Sequence, residues 1–439
     1  MGRDSDGAVS KWEPDSRMFG AFPEAVRRAP ALLRLAWWVI RQNRRRPLAA
    51  LRRTLDDRSL IETSGLFDAA WYRSTYRDVA DAGLDALDHF TVFAASQRRS
   101  PSSLFDSAWY LDENPDVAAT GQNPLVHFLR EGAAAGRDPS PLFDADLYRS
   151  GEGGPADLAG AFRHFWASGL GVAPGAYRSA EALHACQRRY LQRTETRVAR
   201  DTRTGQRAFA VYLQCGAGSL HAQWLTGAPR SWDLVVNHYD GAYRQAIPCD
   251  VELHQEGPLP GTKFTAMHAL LEQRPDLLSR YAFVLLLDDD VVIPEPGLER
   301  LFRIAADAGL DLAQASLSAD SHSFFDIFRH QGGAALRPVR GVEIMMPLLS
   351  RAALRAARPL FGQTISGWGL DYAVAEIVAR DLRGRAAVVD DVVARHTRPV
   401  DTAGGAYYRM LMREQIYPHV ELKHVKNRHG VRWTGFALP

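Results

Sequence analysis

Three consecutive aspartates, Asp288, Asp289 and Asp290, follow an apolar run, YAFVLLL, that begins at Tyr281. Adjacent negative charges at the end of a buried strand are costly unless a cation neutralises them. Carboxylate oxygens are the ligands that hard divalent cations prefer, and Mg²⁺ commonly shares them with substrate phosphates. The pattern predicts a metal site that uses Asp288 and Asp290; the alternative is an acidic turn of solvated or capping aspartates.

The sequence SGWGLDYAVAEIV, from Ser366, places an aromatic ring between two glycines and a carboxylate shortly after it. Gly367 and Gly369 allow close backbone approach around Trp368, whose flat face can stack on a sugar ring. Asp371 falls at the start of an amphipathic helix, whose dipole is expected to keep it ionised. We predict that Trp368 and Asp371 are catalytic, with Asp371 as general base for an acceptor hydroxyl. The alternative is that Asp371 only caps the helix.

A second strand-like run, AAVVDDVV, contains Asp390 and Asp391 and leads to His396. A neutral imidazole is a common metal ligand, so His396 is predicted to join Asp288 and Asp290 around the cation. The alternative is a structural histidine, which is the usual role of a single one.

Donor contacts are predicted further upstream. The run LVVNHYDG (234–241) ends a strand with the polar side chains of Asn237, His238 and Asp240, which suit a base or a ribose. Lys263 follows a glycine at the start of a helix, where its ammonium group and the helix N-terminus can both meet a diphosphate. The residues assigned to donor binding are Asn237, Asp240, Lys263, Asp288 and Asp289.

These side chains need an α/β scaffold to position them. From about residue 208, apolar strand-like runs alternate with segments of helical periodicity, which predicts a three-layer α/β domain with a mostly parallel central sheet over 208–439. Sites in such sheets form beyond the carboxyl ends of the strands. The strand-like runs are AFAVYLQ, WDLVVNHY, YAFVLLL, LAQASL, VEIMMPLL and AAVVDDVV.

A repeat precedes this domain. LFDAAWY, LFDSAWY and LFDADLY begin at Leu66, Leu104 and Leu142, a constant spacing of 38 residues. The Phe-Asp pair supplies an apolar staple and an N-cap, and Gly and Pro close each copy. We expect an all-α module of three helical repeats over 61–177, and a helical linker over 178–207.

One histidine recurs in the repeats, as His89, His127 and His164, the last after a one-residue deletion. The row is either a set of ligands or, as is more common for a repeated histidine, a set of semi-buried, hydrogen-bonded residues.

Residues 1–60 are predicted to form a basic amphipathic segment. Nine arginines and no acidic residue lie within 27–53, around a cluster of leucine and tryptophan. Such a helix fits an anionic membrane surface. The alternative is a basic helix that packs on the domains that follow.

Composition excludes other classes of protein. Lys plus Arg (53) nearly balances Asp plus Glu (51), so no nucleic-acid partner is expected. The three cysteines, Cys186, Cys215 and Cys249, are too scattered for a disulfide framework, which favours a cytoplasmic setting. The first residues are polar and acidic rather than those of a secretory signal, and the apolar run at 35–40 is too short to span a bilayer.

Two resemblances extend these predictions. The repeats, above all LDENPDVAATGQNPLVHFLREGAAAGRDPSPLFD (111–144), resemble FD-x-x-x-Y…NPDV…GR-x-PSP repeats attached to bacterial glycosyltransferases. The motifs NHYDG, TKF, YAFVLLLDDD, VEIMMPLLSR, GWGLDYAV and VVDDVVARHTRP, within about 208–410, resemble the plant and bacterial family catalogued as domain of unknown function number 707.

The second resemblance implies a Rossmann-like GT-A glycosyltransferase that uses a nucleotide-sugar donor and Mn²⁺ or Mg²⁺. It assigns the D-x-D role to Asp288 and Asp290, the GWGLD carboxylate to Asp371 and the late histidine to His396. Plant members commonly have Asp-Glu-Asp where this chain has Asp289 in the middle.

The leading hypothesis is therefore a metal-dependent glycosyltransferase that acts on a glycan or lipid-linked acceptor in cell-envelope or capsular polysaccharide synthesis, peripherally at the inner membrane face. Inversion with Asp371 as base is expected from likeness to other GWG-plus-acid glycosyltransferases, and retention stays open. The alternatives are a non-catalytic nucleotide-sugar, glycan-binding or scaffold protein, and a metal-dependent phosphoester hydrolase.

Overall fold

The computed structural model describes residues 30–150, 157–223, 225–240, 248–256, 259, 261–402 and 405–438. Residues 1–29, which include the polar start and the first arginines of the basic segment, lie outside the described residues, as does Gly241 of the NHYDG motif. The chain forms two compact units, one of Met1–Ser140 with Arg149–Gly169 and the other of Pro141–Tyr148 with Leu170–Pro439.

Every regular element described before residue 170 is a helix, and the aspartate of each repeated Phe-Asp pair caps one. The Asp68 and Asp106 carboxylates accept hydrogen bonds from the backbone N–H groups of Trp71 and Trp109 at 2.9 and 3.0 Å. The helices are α1 (Ala31–Gln42), α2 (Pro47–Ser64), α3 (Ala69–Thr75), α4 (Arg77–Asp81), α5 (Ala86–Gln97), α6 (Ser107–Glu113), α7 (Pro115–Thr120), α8 (Pro124–His127, continued by a π-turn), α9 (Ala145–Arg149) and α10 (Leu158–Ser168).

The histidines of the first two copies bond within their own copy. The Tyr72 hydroxyl lies 2.9 Å from Nδ1 of His89, and the Tyr110 hydroxyl lies 2.9 Å from Nδ1 of His127. Both histidines are buried, and burial lowers the pKa of His89 to about 4. The identical contact in two copies favours a structural role over a row of ligands; His164 is exposed.

The start of the third copy belongs to the second compact unit, which divides the expected 61–177 module. Phe143 forms a β-bridge with Ala176, and its carbonyl accepts a hydrogen bond from Lys423 Nζ at 2.6 Å. Residues 141–148 therefore belong to the second unit, although their sequence belongs to the repeat.

The second unit contains a ten-stranded sheet in the order β10-β12-β9-β11-β7-β4-β5-β6-β3, with β8 paired to β12, and a separate two-stranded β1-β2 ribbon. The strands are β1 (Val172–Ala173), β2 (Ala176–Tyr177), β3 (Glu195–Asp201), β4 (Phe209–Cys215), β5 (Trp232–His238), β6 (Val251–Glu256), β7 (Phe283–Leu287), β8 (Val291–Val292), β9 (Leu312–Leu317), β10 (Leu336–Pro338), β11 (Leu348–Ser350) and β12 (Ala386–His396).

The central sheet is mostly parallel, which confirms the predicted mixed α/β class. Strands β7, β4, β5 and β6 pair in parallel, as do β9 and β12. Strand β11 runs antiparallel between β7 and β9, so these two strands share one direction. The carboxyl ends of β4, β5, β7, β9 and β12 therefore meet at one edge of the sheet.

Two segments differ from their predictions. Strand β11 covers only the end of VEIMMPLL, because residues 342–347 form a loop. The loop still bonds to β7 and the residue after it: the carbonyl of Pro347 accepts from the N–H of Leu286, and the carbonyl of Met345 accepts from the N–H of Asp288. The helical linker expected over 178–207 is a helix followed by strand β3, an edge strand. Its exposed Arg197 pairs with Glu256 on β6, which explains why its charged sequence resembled a linker.

The helices of this unit connect and cover the sheet. Strand β7 is buried along its whole length, which accounts for its continuous run of apolar residues. No described helix of either unit is long and apolar enough to cross a membrane. The helices from residue 170 onward are α11 (Ala180–Leu191), α12 (Lys263–Gln273), α13 (Glu295–Asp307), α14 (Arg351–Ala357), α15 (Leu370–Arg380), α16 (Ala406–Arg413) and α17 (Pro418–Arg428).

Candidate active site

A cavity of about 1320 Å³ opens at the sheet edge where the parallel strands end. The turn after β7, the end of β12 and the first residues of α12 and α15 all contribute to its wall. Seven of the predicted site residues therefore surround one space. They are Lys263, Asp288, Asp289, Asp290, Trp368, Asp371 and His396.

Lys263 neutralises Asp288. Its Nζ lies 2.8 Å from Asp288 Oδ1, and it also donates to the backbone carbonyls of Ile344 and Met345. Burial raises the pKa of Asp288, and the Lys263 ammonium opposes that rise. The lysine was predicted to meet a diphosphate; in the structure it lines the cavity, is buried and is held by the Asp288 carboxylate.

Asp290 pairs with His396 across 3.3 Å, between Oδ2 and Nε2. Nδ1 of the same ring lies 2.7 Å from the carbonyl of His322, which fixes the ring with Nε2 toward Asp290. Burial opposes ionisation of Asp290, but the histidine outweighs it and lowers the carboxyl pKa, while the carboxylate raises the pKa of His396 to about 9.

The donor set fits a divalent cation. Two carboxylates and an imidazole are the groups that Mn²⁺ accepts, and Asp290 and His396 already face each other. Asp288, Asp290 and His396 do not form a closed three-ligand group, because the Asp288 carboxylate is turned to Lys263.

Asp289 lines the same cavity as its two neighbours but bonds to other parts of the chain. Its Oδ2 accepts a hydrogen bond from the Gly216 N–H at 2.9 Å and lies 3.4 Å from the Tyr239 hydroxyl. Burial raises its pKa to about 6. Asp289 therefore ties the turn after β7 to the ends of β4 and β5.

The loop that carries Trp368 requires its glycines. Gly367 and Gly369 have φ of +80° and +88°, in the left-handed region, and a Cβ on Gly369 would lie 3.1 Å from Cβ of Val425. The Trp368 ring packs against His419 with centroids 4.7 Å apart. The result is a fixed aromatic wall on one side of the cavity.

A buried carboxylate on α17 holds this loop in place. Glu421 is fully buried and accepts hydrogen bonds from the backbone N–H groups of Ile365 and Ser366, at 2.9 and 2.8 Å, and from the Thr364 hydroxyl at 2.9 Å. The residues immediately before Gly367 and Trp368 are thereby anchored by charge-assisted bonds.

Asp371 lies in the first turn of α15, and its Oδ1 accepts the N–H of Tyr372 at 2.9 Å. The helix dipole was predicted to keep this carboxylate ionised. Burial instead dominates and raises the pKa of Asp371 to about 7. A carboxylate with that pKa is better matched to proton abstraction at neutral pH than an ordinary aspartate.

Two residues on the cavity wall were missed by the sequence predictions. Glu343 is buried, and burial together with Asp371 raises its pKa to about 7. Arg398 is exposed and donates to the Gly218 carbonyl, with Nη1 3.5 Å from Asp289. Both lie inside motifs of the resemblance described above, VEIMMP and RHTRP, so those motifs could have indicated them as site residues.

Asn237 and Asp240 do not line the cavity, contrary to their assignment to donor binding. Strand β5 is buried through its last residue, and Asn237 donates to Gln214 Oε1 at 2.8 Å inside the sheet. Asp240 accepts the Ala217 N–H at 2.9 Å. Both side chains serve local structure in the described residues.

Asp390 and Asp391 do not end their strand. Strand β12 passes through them with a register shift and continues to His396. Asp390 is buried and bonds the guanidinium of Arg337, while the exposed Asp391 lies 2.5 Å from Arg300. Neither carboxylate faces the cavity.

Comparisons with known proteins add little to this geometry. No protein-family profile and no curated protein sequence matches the chain. Among solved structures, the crystal structure of GalNAc-T7 with UDP, GalNAc and Mn²⁺ is similar over 52% of this chain and 55% of that one, at 10% identity and a TM-score of 0.36. The chain thus matches about half the length of that structure. No conclusion about function rests on this likeness.

Asp390→Asn should destabilise the protein, because it leaves the Arg337 guanidinium without its buried partner. We expect the free energy of unfolding to fall by about 3 kcal/mol, measured by urea denaturation. Asp391→Asn is the matched control and should cost less than about 0.5 kcal/mol, since its ion pair is exposed. Equal effects of the two variants would contradict the assignment of Asp390 to structure.

Proposed function

We propose that this chain is a metal-dependent GT-A glycosyltransferase that transfers a sugar from a nucleotide-diphosphate sugar to a hydroxyl of a glycan or lipid-linked acceptor. One observation carries the proposal: a single cavity holds the Asp290–His396 pair together with Trp368 and Asp371. The resemblance of the motifs to family number 707 supports it. Synthesis of a cell-envelope or capsular polysaccharide is the corresponding process.

The donor end of the site would be formed by charged groups around the turn after β7. Asp290 and His396, with Asp288, would hold Mn²⁺ or Mg²⁺. When bound, such a cation stabilises the negative charge that develops on the departing diphosphate. Lys263 keeps Asp288 in position. The guanidinium of Arg398, which is exposed and lies 3.5 Å from Asp289, would contact the phosphates.

The acceptor end would be formed by the Trp368 loop and the start of α15. Trp368 stacks on a sugar ring, which orients one hydroxyl toward the carboxylate. Asp371 takes the proton of that hydroxyl while the hydroxyl oxygen forms a bond to the anomeric carbon of the donor sugar. The bond between that carbon and the nucleotide diphosphate breaks in the same step. Direct attack of this kind inverts the anomeric configuration.

The N-terminal helices supply a surface for an anionic membrane. Helix α1 buries Leu35 and Val39, so one side packs within the first unit, but Leu32 and Leu33 are 51% and 60% exposed. Arginines 41 and 44–46 are exposed at the end of the same helix. Apolar side chains beside arginine favour peripheral binding at the inner membrane face.

Asp290→Asn should lower the rate of Mn²⁺-stimulated nucleotide release by about 100-fold or more, because an amide is a poor metal ligand. The amide also no longer stabilises the protonated form of His396. The assay measures free nucleotide across a panel of nucleotide-diphosphate sugars, with and without Mn²⁺. Asp391→Asn should retain the wild-type rate. Wild-type turnover by the Asp290→Asn protein would refute the proposal, and donor binding without turnover in the wild type would favour a non-catalytic binder.

The rate of transfer should rise with pH through about 7, because Asp371 acts as a base only when ionised and its raised pKa keeps it protonated below that pH. Asp371→Asn should lower kcat by about 10²–10⁴-fold. The exposed Asp381 at the end of α15 provides the control, and Asp381→Asn should leave both rate and pH profile unchanged. A rate independent of pH across this range would exclude Asp371 as the base.

Membrane binding should weaken when Leu32 and Leu33 are both changed to serine, because two exposed apolar side chains are lost while every arginine remains. Co-sedimentation with vesicles of anionic phospholipid measures the bound fraction, which we expect to fall several-fold. Leu438→Ser, at a residue 53% exposed in the second unit, is the control. Equal binding by the double variant and the wild type would remove α1 from the proposal.

A further inference from the structure

A second group of ligating side chains lies on strands β5 and β6, and none of its members lines the candidate active site. His238 ends β5, and Glu252 and His254 lie on β6. The two strands are parallel neighbours, with His238 in register with His254. Glu252 precedes His254 by two residues, so all three side chains project from the same face of the sheet.

The ligand atoms converge on one point. Oε1 of Glu252 lies 3.0 Å from Nε2 of His254 and 3.8 Å from Nε2 of His238, and the three ligand atoms all lie within 4.8 Å of one another. Zinc binds imidazole nitrogen and carboxylate oxygen at about 2.0–2.1 Å, so neighbouring ligands of a tetrahedral ion are roughly 3.3 Å apart. The observed distances bracket that value.

We propose that His238, Glu252 and His254 bind a zinc ion that cross-links β5 and β6. Two histidines and one glutamate form a donor set typical of zinc, and water would take the fourth position. His238 is buried and His254 is half exposed, so the ion would be fixed from the protein side and reached from solvent.

A neighbouring arginine orients the glutamate. Nε of Arg200, on the adjacent edge strand β3, lies 3.2 Å from Oε2 of Glu252. The arginine thus holds the oxygen that faces away from the histidines and leaves Oε1 for the metal, as outer hydrogen bonds do at zinc sites.

Zinc at this position would fix the end of β5. The next residue, Tyr239, lines the candidate active site, and its hydroxyl lies 3.4 Å from Asp289. The ion would therefore stabilise one wall of the cavity without contacting substrate. Zinc binding between β5 and β6 requires no transferase activity.

The test is a metal titration of the full chain after treatment with a chelator. Zn²⁺ should bind to the Asp290→Asn protein, which lacks a ligand of the proposed catalytic metal, at one ion per chain, and it should raise the melting temperature of that protein by roughly 5 °C at saturating metal. Co²⁺ should give the visible absorption of a tetrahedral site with nitrogen and oxygen ligands. His254→Ala and Glu252→Gln should each lose the bound ion and the shift in melting temperature.

Two controls separate this site from other metal-binding groups. His164→Ala removes an exposed histidine of the first unit, and Asp290→Asn removes a ligand of the proposed catalytic metal; both should keep the zinc response. The proposal is overturned if His254→Ala binds zinc like the wild type, or if the wild type binds none, in which case the cluster is only an ion-pair network with Arg200. Loss of transferase activity in Asp290→Asn tests the other proposal separately.

Discussion

The site depends on two ion pairs, in which Asp288 and Asp290, after β7, each bond a basic side chain. Asp288 and Asp290 carry like charges within one short turn, where burial disfavours both. Lys263, from α12, and His396, from β12, each neutralise one of them. Two distant parts of the chain must therefore be folded onto the sheet edge before the turn can hold its charges, and the cavity is what lies between them.

The parts of the structure that follow from a single strand were predictable from the sequence. The continuous apolar run before Asp288 required a strand buried on both faces, and it is one. Because parallel strands end at a common edge, that run and the run leading to His396 could be expected to deliver their polar residues to one place. The glycines around Trp368 indicated close backbone approach, and a Cβ on Gly369 would lie 3.1 Å from Cβ of Val425.

The parts that depend on a neighbouring strand were not predictable. The sequence around Asp390 reads like the end of a strand, but a register shift and the partner Arg337 keep the chain in the sheet. Asn237 is polar, yet its partner Gln214 lies inside the sheet. The pKa of Asp371 depends on how deeply α15 is covered, which no pattern in its own helix records.

The anchor of the Trp368 loop has a consequence for the order of folding. The sheet is complete once β12 has been made, at His396, but Glu421 lies further along the chain, on α17. During synthesis the chain must be extended well beyond its last strand before the support for its aromatic wall is present. The part of the chain that supports the aromatic wall is therefore made after every strand of the sheet, and a chain that ends before α17 would lack this support.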